Sequence, residues 1–240
     1  MKYVNLLFFA FMVVMNYLAN ALPLNGKTTG ELSDIFPNLF VPAGITFSIW
    51  GVIYLMLLVF CILQFFPSGQ QAVTAIGWLF AATCLFNGLW IVFWHYGKVS
   101  LSVVVMLGLL ISLVWLNDQL KETGPVIIKA AFGIYLGWIC IATIANITAL
   151  LVHVNWGGGG ISAEVWTILL IAAGMVITAL VMLRLNNPWA GLAVIWAFAG
   201  IIIKRQADHR AIVIAAALAA LVIAILFVRA LLVRQGNPAL

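Results

Sequence analysis

Long apolar runs alternate with short polar breaks along this chain, and that rhythm sets its elements. Eight runs stand out, at Val4 to Ala21, Gly44 to Phe66, Ala72 to His95, Leu101 to Leu116, Val126 to Val152, Ser162 to Leu183, Trp189 to Ile203 and Ala211 to Val233. They lack the strict alternation of barrel strands. Lipid offers no partners to backbone groups, so each run must satisfy its own as a helix. The pattern predicts an all-α polytopic membrane protein of eight helices. The seventh is the shortest run, set against the roughly 20 residues a span needs, with Lys204 and Arg205 placed at the interface.

Three helices carry a stripe of aromatic or amide side chains spaced three and four apart, which puts each stripe on one face. The second helix has Phe47, Trp50 and Tyr54. The third has Asn87, Trp90 and Trp94, and the fifth Tyr135, Trp138, Ala142 and Asn146. Each stripe alone is equally consistent with helix packing. Asn16 and Asn20 share a face of the first helix, either as interhelical glue or as the lining of a polar spot. His95 reads as an interfacial histidine without a catalytic or metal partner, and the fourth helix carries nothing that suggests function.

The connection from Leu22 to Ala43 is the longest and most polar. It holds Asn25-Gly26, Thr28-Thr29-Gly30, Ser33, Asp34 and the prolines Pro23, Pro37 and Pro42. This is turn chemistry, and such a loop over a bundle is either a lid or a plain connector. Four glycines, Gly157 to Gly160, mark the best boundary. The expected organisation is a five-helix bundle over residues 1–154, a glycine-rich linker over 155–161 and a three-helix extension over 162–240. Trp78 and Trp115 sit near helix ends as interface anchors, and Trp189 and Trp196 as anchors or packing.

Composition sharpens this picture. Hydrophobic residues make up 66% of the 240 and charged residues 7%, against about a quarter charged in soluble domains; mean hydropathy is +1.21. Lipid is therefore the solvent. The net charge of +5 is scattered among loops, which points to anionic headgroups and away from nucleic acid. Cys61, Cys84 and Cys140 all fall inside spans, so no disulfide framework is expected. Paired carboxylates, zinc-ligand spacing, a nucleophile triad and a phosphate-binding glycine motif are all missing, which leaves enzymatic activity with little support. With eight helices both termini share one side. Lys2, Lys121, Lys129, Arg184, Arg229 and Arg234 lie there, against Lys27, Lys98, Lys204, Arg205 and Arg210 opposite. That narrow excess favours cytoplasmic termini in the cell membrane.

Taken together, the three stripes resemble the TspO/MBR family, the tryptophan-rich sensory proteins related to the mitochondrial translocator protein. Pro42 to Tyr54 is similar to that family's proline-containing loop and F-x-x-W-x-x-x-Y helix. Phe86-Asn87-Gly88-Leu89-Trp90 is similar to L-N-x-x-W, and Tyr135 through Asn146 to Y-L-x-W-x-x-x-A-x-x-x-N. Order and spacing agree over about 150 residues. Ile134 stands where that family often has proline, Val41-Pro42-Ala43 replaces a double proline, and Phe86 replaces leucine. That family ends after five helices, so three are added here.

The resemblance implies a five-helix TspO-like bundle plus three additional transmembrane helices. It implies a retained first helix in spite of the A-x-A pattern at Ala19-Asn20-Ala21. It further implies an intrabundle pocket for a lipophilic ligand, a porphyrin, haem or sterol-like molecule. Its site residues would be Phe47, Trp50, Tyr54, Asn87, Trp90, Tyr135, Trp138, Ala142 and Asn146, with no metal site and no catalytic residue. The residues suit that chemistry, since aromatic walls stack on flat ligands and placed amides orient them. A structural or assembly subunit of a larger membrane complex is the alternative. A homodimer also stays open.

Overall fold

The computed structural model describes residues 1–22 and 24–236, with side chains through residue 233. Pro23, one of the loop prolines, and residues 237–240 lie outside the described residues, as does the side chain of Arg234.

Helix α1 is Lys2–Asn20, and the loop after it contains a short helix α2, Thr29–Asp34. A 3-10 turn, Gly44–Ser48, leads into α3, Ile49–Leu63. Helices α4, Pro67–Ile76, and α5, Leu79–His95, come next, then α6, Val99–Gln119, and α7, Val126–His153. After the glycine run come α8, Ala163–Arg184, α9, Ala190–Arg205, and α10, Arg210–Gly236. Six of these stretches are long and apolar enough to cross a membrane: α1, Gly44–Leu63, α6, α7, α8 and α10. The protein is an all-α polytopic membrane protein.

Two predicted elements differ from what forms. The helix expected over Ala72 to His95 is two helices, α4 and α5, bent by 69° where Gly77 and Trp78 join them. Gly77 takes φ 55° and ψ −123°, a region costly for any residue with a Cβ. Pro67 opens α4 at its first turn, where a missing N–H costs nothing. The bent pair counts as a seventh span if taken as one. The second predicted helix also begins as a tighter 3-10 turn that carries Phe47.

With 16 residues, α9 is about 24 Å long, short of a hydrocarbon core of about 30 Å. It nevertheless reaches both ends of the bundle. Just before α9, the Asn187 amide donates to the Lys129 carbonyl at the start of α7. Near its other end the Gly200 carbonyl accepts from the Ala43 N–H ahead of α3. Surrounding helices bury it, so its length need not match the lipid.

Everything is hung on α7, which is buried on nearly every side from Ile128 to Ile144. A helix apolar all round is one that neighbours enclose. Small residues let those neighbours come close. A Cβ on Gly137 would collide with the Ala190 carbonyl of α9, so only glycine permits this crossing. Polar ties fix the register. Asn187 donates to Asn117 Oδ1 and to the Lys129 carbonyl, both at 2.8 Å, and Asn117 in turn donates to Leu113 and Phe132 carbonyls. The α8–α10 helices therefore pack straight onto the α1–α7 bundle.

Candidate functional site

The aromatic stripes of α3, α5 and α7 meet at the end of the bundle that the Leu22–Ala43 loop covers. Trp50 stacks on Tyr54 with ring centroids 5.4 Å apart and meets Tyr135 and Trp138 edge-on at 5.9 and 6.2 Å. Phe47 meets Trp138 edge-on at 6.0 Å. On the opposite wall Trp90 and Trp94 stack at 5.7 Å. A cavity of about 50 Å³ lies among them, lined by Phe47, Trp50, Trp90, Trp138, Ala142 and Asn146 of the sequence-predicted set. Trp94, Ile141 and Ala145 complete the helical walls, with Thr29, Ser33, Val41 and Pro42 as the roof.

Three of the sequence-predicted residues do not line this cavity. Asn87 lies behind it, accepting from Asn16 Nδ2 at 2.7 Å and donating to the Tyr135 hydroxyl at 2.9 Å. Tyr135 spends its own hydroxyl on this network, which also reaches Met12 Sδ at 3.9 Å. Asn16 is thus the interhelical glue that its position left open. Tyr54 stands beyond Trp50, and its buried hydroxyl has no partner among the described residues.

Asn146 does line the cavity, but its amide is engaged. Its Oδ1 accepts from Trp90 Nε1 at 3.0 Å and its Nδ2 donates to Ser102 Oγ at 2.9 Å. Ser102 belongs to α6, the helix in which the sequence suggests nothing functional, and it holds the Asn146 amide from outside the cavity lining. One fully buried polar side-chain atom of the wall has no partner among the described residues. Trp138 is 3% exposed, and its Nε1–H has no acceptor among the described residues. A buried donor left unmade costs about 1–3 kcal/mol, so the cavity favours an occupant that brings an acceptor.

The roof is a folded lid tied at both sides. Thr28 caps α2 and Glu31 reaches back to its N–H in a capping box. These hydrogen bonds, from the backbone first, hold the Glu31 carboxyl below its ordinary pKa. On one side the lid grips the end of α5. His95 Nδ1 lies 3.0 Å from the Leu24 carbonyl and its Nε2 3.1 Å from Thr29 Oγ1. A carbonyl only accepts, so Nδ1 carries the proton, and in the neutral ring Nε2 accepts from the Thr29 hydroxyl. The sequence places His95 at the interface without a catalytic or metal partner; the structure adds that the lid buries it and holds both ring nitrogens. Trp94 Nε1 donates to the Thr29 carbonyl, and Phe36 packs on Trp94.

On the other side α9 holds the lid. Lys204 pairs with Asp34 at 2.9 Å, and Arg205 donates to the Leu39 and Asn38 carbonyls. Trp196, read from sequence as an anchor or packing residue, donates its indole N–H to the Thr46 carbonyl and ties α9 to the start of α3. The lid residues Thr29 and Ser33 were invisible as site residues from spacing, since they lie outside any helical stripe. Trp94 had a signal: it continues the Asn87–Trp90 face. Among the described residues no group of side chains is arranged to hold a metal ion.

An all-helical membrane bundle with an aromatic cavity under a proline-containing lid is the class these features define. The family described as TSPO-like protein matches residues 2–229, and the chain belongs to it. The match runs on past the glycine run into α10. No curated protein and no solved structure matches the chain significantly.

Proposed function

We propose that this protein is a membrane receptor or carrier for a flat lipophilic ligand, of the porphyrin, haem or sterol-like kind, taken up in the aromatic cavity. The unpartnered Trp138 Nε1–H in an otherwise apolar aromatic wall is the observation that carries this reading. Ligand sites run to about 300–1,000 Å³, whereas this cavity is about 50 Å³. The described state is therefore the closed one, and uptake requires the lid to lift and the tryptophans to part. Among the site residues, Trp50 and Trp138 would stack on the ligand, and Trp138 would donate to an acceptor on its rim. Residence in the cell membrane with cytoplasmic termini belongs to the same reading.

The test is a fluorescence titration of detergent-solubilised protein with protoporphyrin, beside Trp138→Phe and the cavity-filling Ala142→Leu. Saturable quenching that weakens about tenfold in both variants, the size of one hydrogen bond or of a steric block, is the expected result. Curves without saturation, or the same in all three proteins, sink it.

A structural or assembly subunit is the second reading. It is favoured by the small cavity and by amides already paired with one another. It predicts stable partners on purification that Trp138→Phe leaves in place.

A further inference from the structure

Two cavities outside the aromatic site share a wall. The first, about 430 Å³, is polar at its rim and lies between the lid and the end of α9, with Lys204, Arg205 and His209 on it. The second, about 340 Å³, is an apolar groove between the end of α7 and the start of α8, with Ile147, Leu151, Trp156, Trp166 and Leu170 along it. Pro37, Asn38, Leu39 and Ala163 line both.

The first cavity carries both signs, with Asp34 on its wall beside the cations and Asp208 and Glu164 close by, but Arg205 has no direct ion pair among the described residues. Lys204 is paired with Asp34, and His209 stands 3.8 Å from Glu164. Exposed Asp208 and Arg210 nearby carry opposite signs. Arg205 has no carboxylate within ion-pair distance among the described residues. Its Nε and Nη2 each give one hydrogen bond to a lid carbonyl, which leaves other guanidinium donors of its fork to take an anion. The groove below has its own marks. Trp156 and Trp166 meet edge-on at 5.2 Å, and Trp166 is pinned by its N–H to the Gly158 carbonyl at 2.8 Å. Paired indoles at a helix end mark the headgroup level of a bilayer, where an apolar groove suits an acyl chain.

We propose that the two cavities form one binding site for an anionic phospholipid of the surrounding bilayer. Its phosphate sits at Arg205 beside His209, and one acyl chain lies in the α7–α8 groove. The lipid would brace the Pro37–Leu39 strap from beneath, so the lid that closes the aromatic cavity would rest on a bound lipid. This site adjoins the aromatic cavity, since Ser33 and Val41 line both, but its test does not depend on what the aromatic cavity binds.

The test uses the full chain in phosphatidylcholine nanodiscs holding a trace of phosphatidylglycerol with a photoactivatable acyl chain, with crosslinks mapped by peptide mass spectrometry. Labelling is expected on residues 147–152 and 161–170. It should fall about tenfold in Arg205→Gln, the size of one charge-assisted hydrogen bond, and recover in part in Arg205→Lys. Ala163→Trp, at an exposed position in the first turn of α8, fills the junction and should remove the label even if Arg205→Gln fails to fold. Equal labelling of the groove by a phosphatidylcholine probe overturns the proposal. So does labelling unchanged in Ala163→Trp. Displacement of the label by oleate at concentrations where unlabelled phosphatidylglycerol has no effect overturns it too, by assigning the site to a fatty acid.

Discussion

Replacing Asn87 with alanine separates a structural amide from a ligand-binding one. In the folded protein Asn87 joins three helices: it accepts from Asn16 on α1 and donates to Tyr135 on α7. Interhelical hydrogen bonds inside a membrane contribute about 0.6 kcal/mol each on average and at most about 1.7. Two of them give about 1–3 kcal/mol. The Asn16 N–H and Tyr135 hydroxyl that lose their partner are buried, and such orphaned groups add about 1–3 kcal/mol when nothing replaces the bond. Asn16 also donates to the Met12 carbonyl and Tyr135 retains Met12 Sδ, so the lower part of that range applies. Asn87→Ala should therefore destabilise by about 2–4 kcal/mol, while Tyr135→Phe, which drops the Asn87 bond and the long contact to Met12 Sδ, should cost about 1–2 kcal/mol. The assay is unfolding by sodium dodecyl sulfate in mixed micelles, followed by circular dichroism. Stability within about 0.5 kcal/mol of wild type, combined with lost porphyrin quenching, would refute this and return Asn87 to the ligand.

Other substitutions test the frame. Gly137→Ala should cost about 1–3 kcal/mol, because its Cβ meets the rigid Ala190 backbone. Gly51→Ala, with open space around it in α3, should instead stabilise by about 0.5–1 kcal/mol; equal effects in the same micelle titration would void the packing argument. Asn187→Ala removes its bonds to Asn117 and Lys129 and should cost about 2–3 kcal/mol, read as earlier melting and faster proteolysis between α8 and α9. The Glu31 carboxyl has its pKa lowered by the Thr28 backbone and side chain. Its support for the lid is thus complete above the ordinary carboxylate range and fades as pH falls through the depressed value. Hydrogen exchange of residues 28–35, corrected for intrinsic rates, should rise in acid toward that of Glu31→Gln, and a pH-independent difference between the two would contradict the capping box.

The sequence by itself determined the solvent, the helices and their faces. Lipid tolerates few charges and no unpaired backbone, so span positions are written in composition, and a helix places residues three and four apart on one side whatever surrounds it. The three stripes could therefore be marked one by one before any contact was known, and of the nine residues that the family resemblance joins into a site, Phe47, Trp50, Trp90, Trp138, Ala142 and Asn146 line the cavity. Tertiary structure decided what each face met. Asn87 and Asn146 follow the same spacing rule, yet one lies behind the cavity and the other on it, because their partners Asn16 and Ser102 are 71 and 44 residues away. The burial of His95 depends on a lid that folds back across a span, and the hold of α9 on that lid joins Lys204 to Asp34 over 170 residues. Local spacing carries no information about such pairings, since they are set by which helices the small residues of α7 allow to approach. The bend at Gly77 was hidden for the same reason: one glycine permits both a straight and a kinked chain, and only packing selects between them.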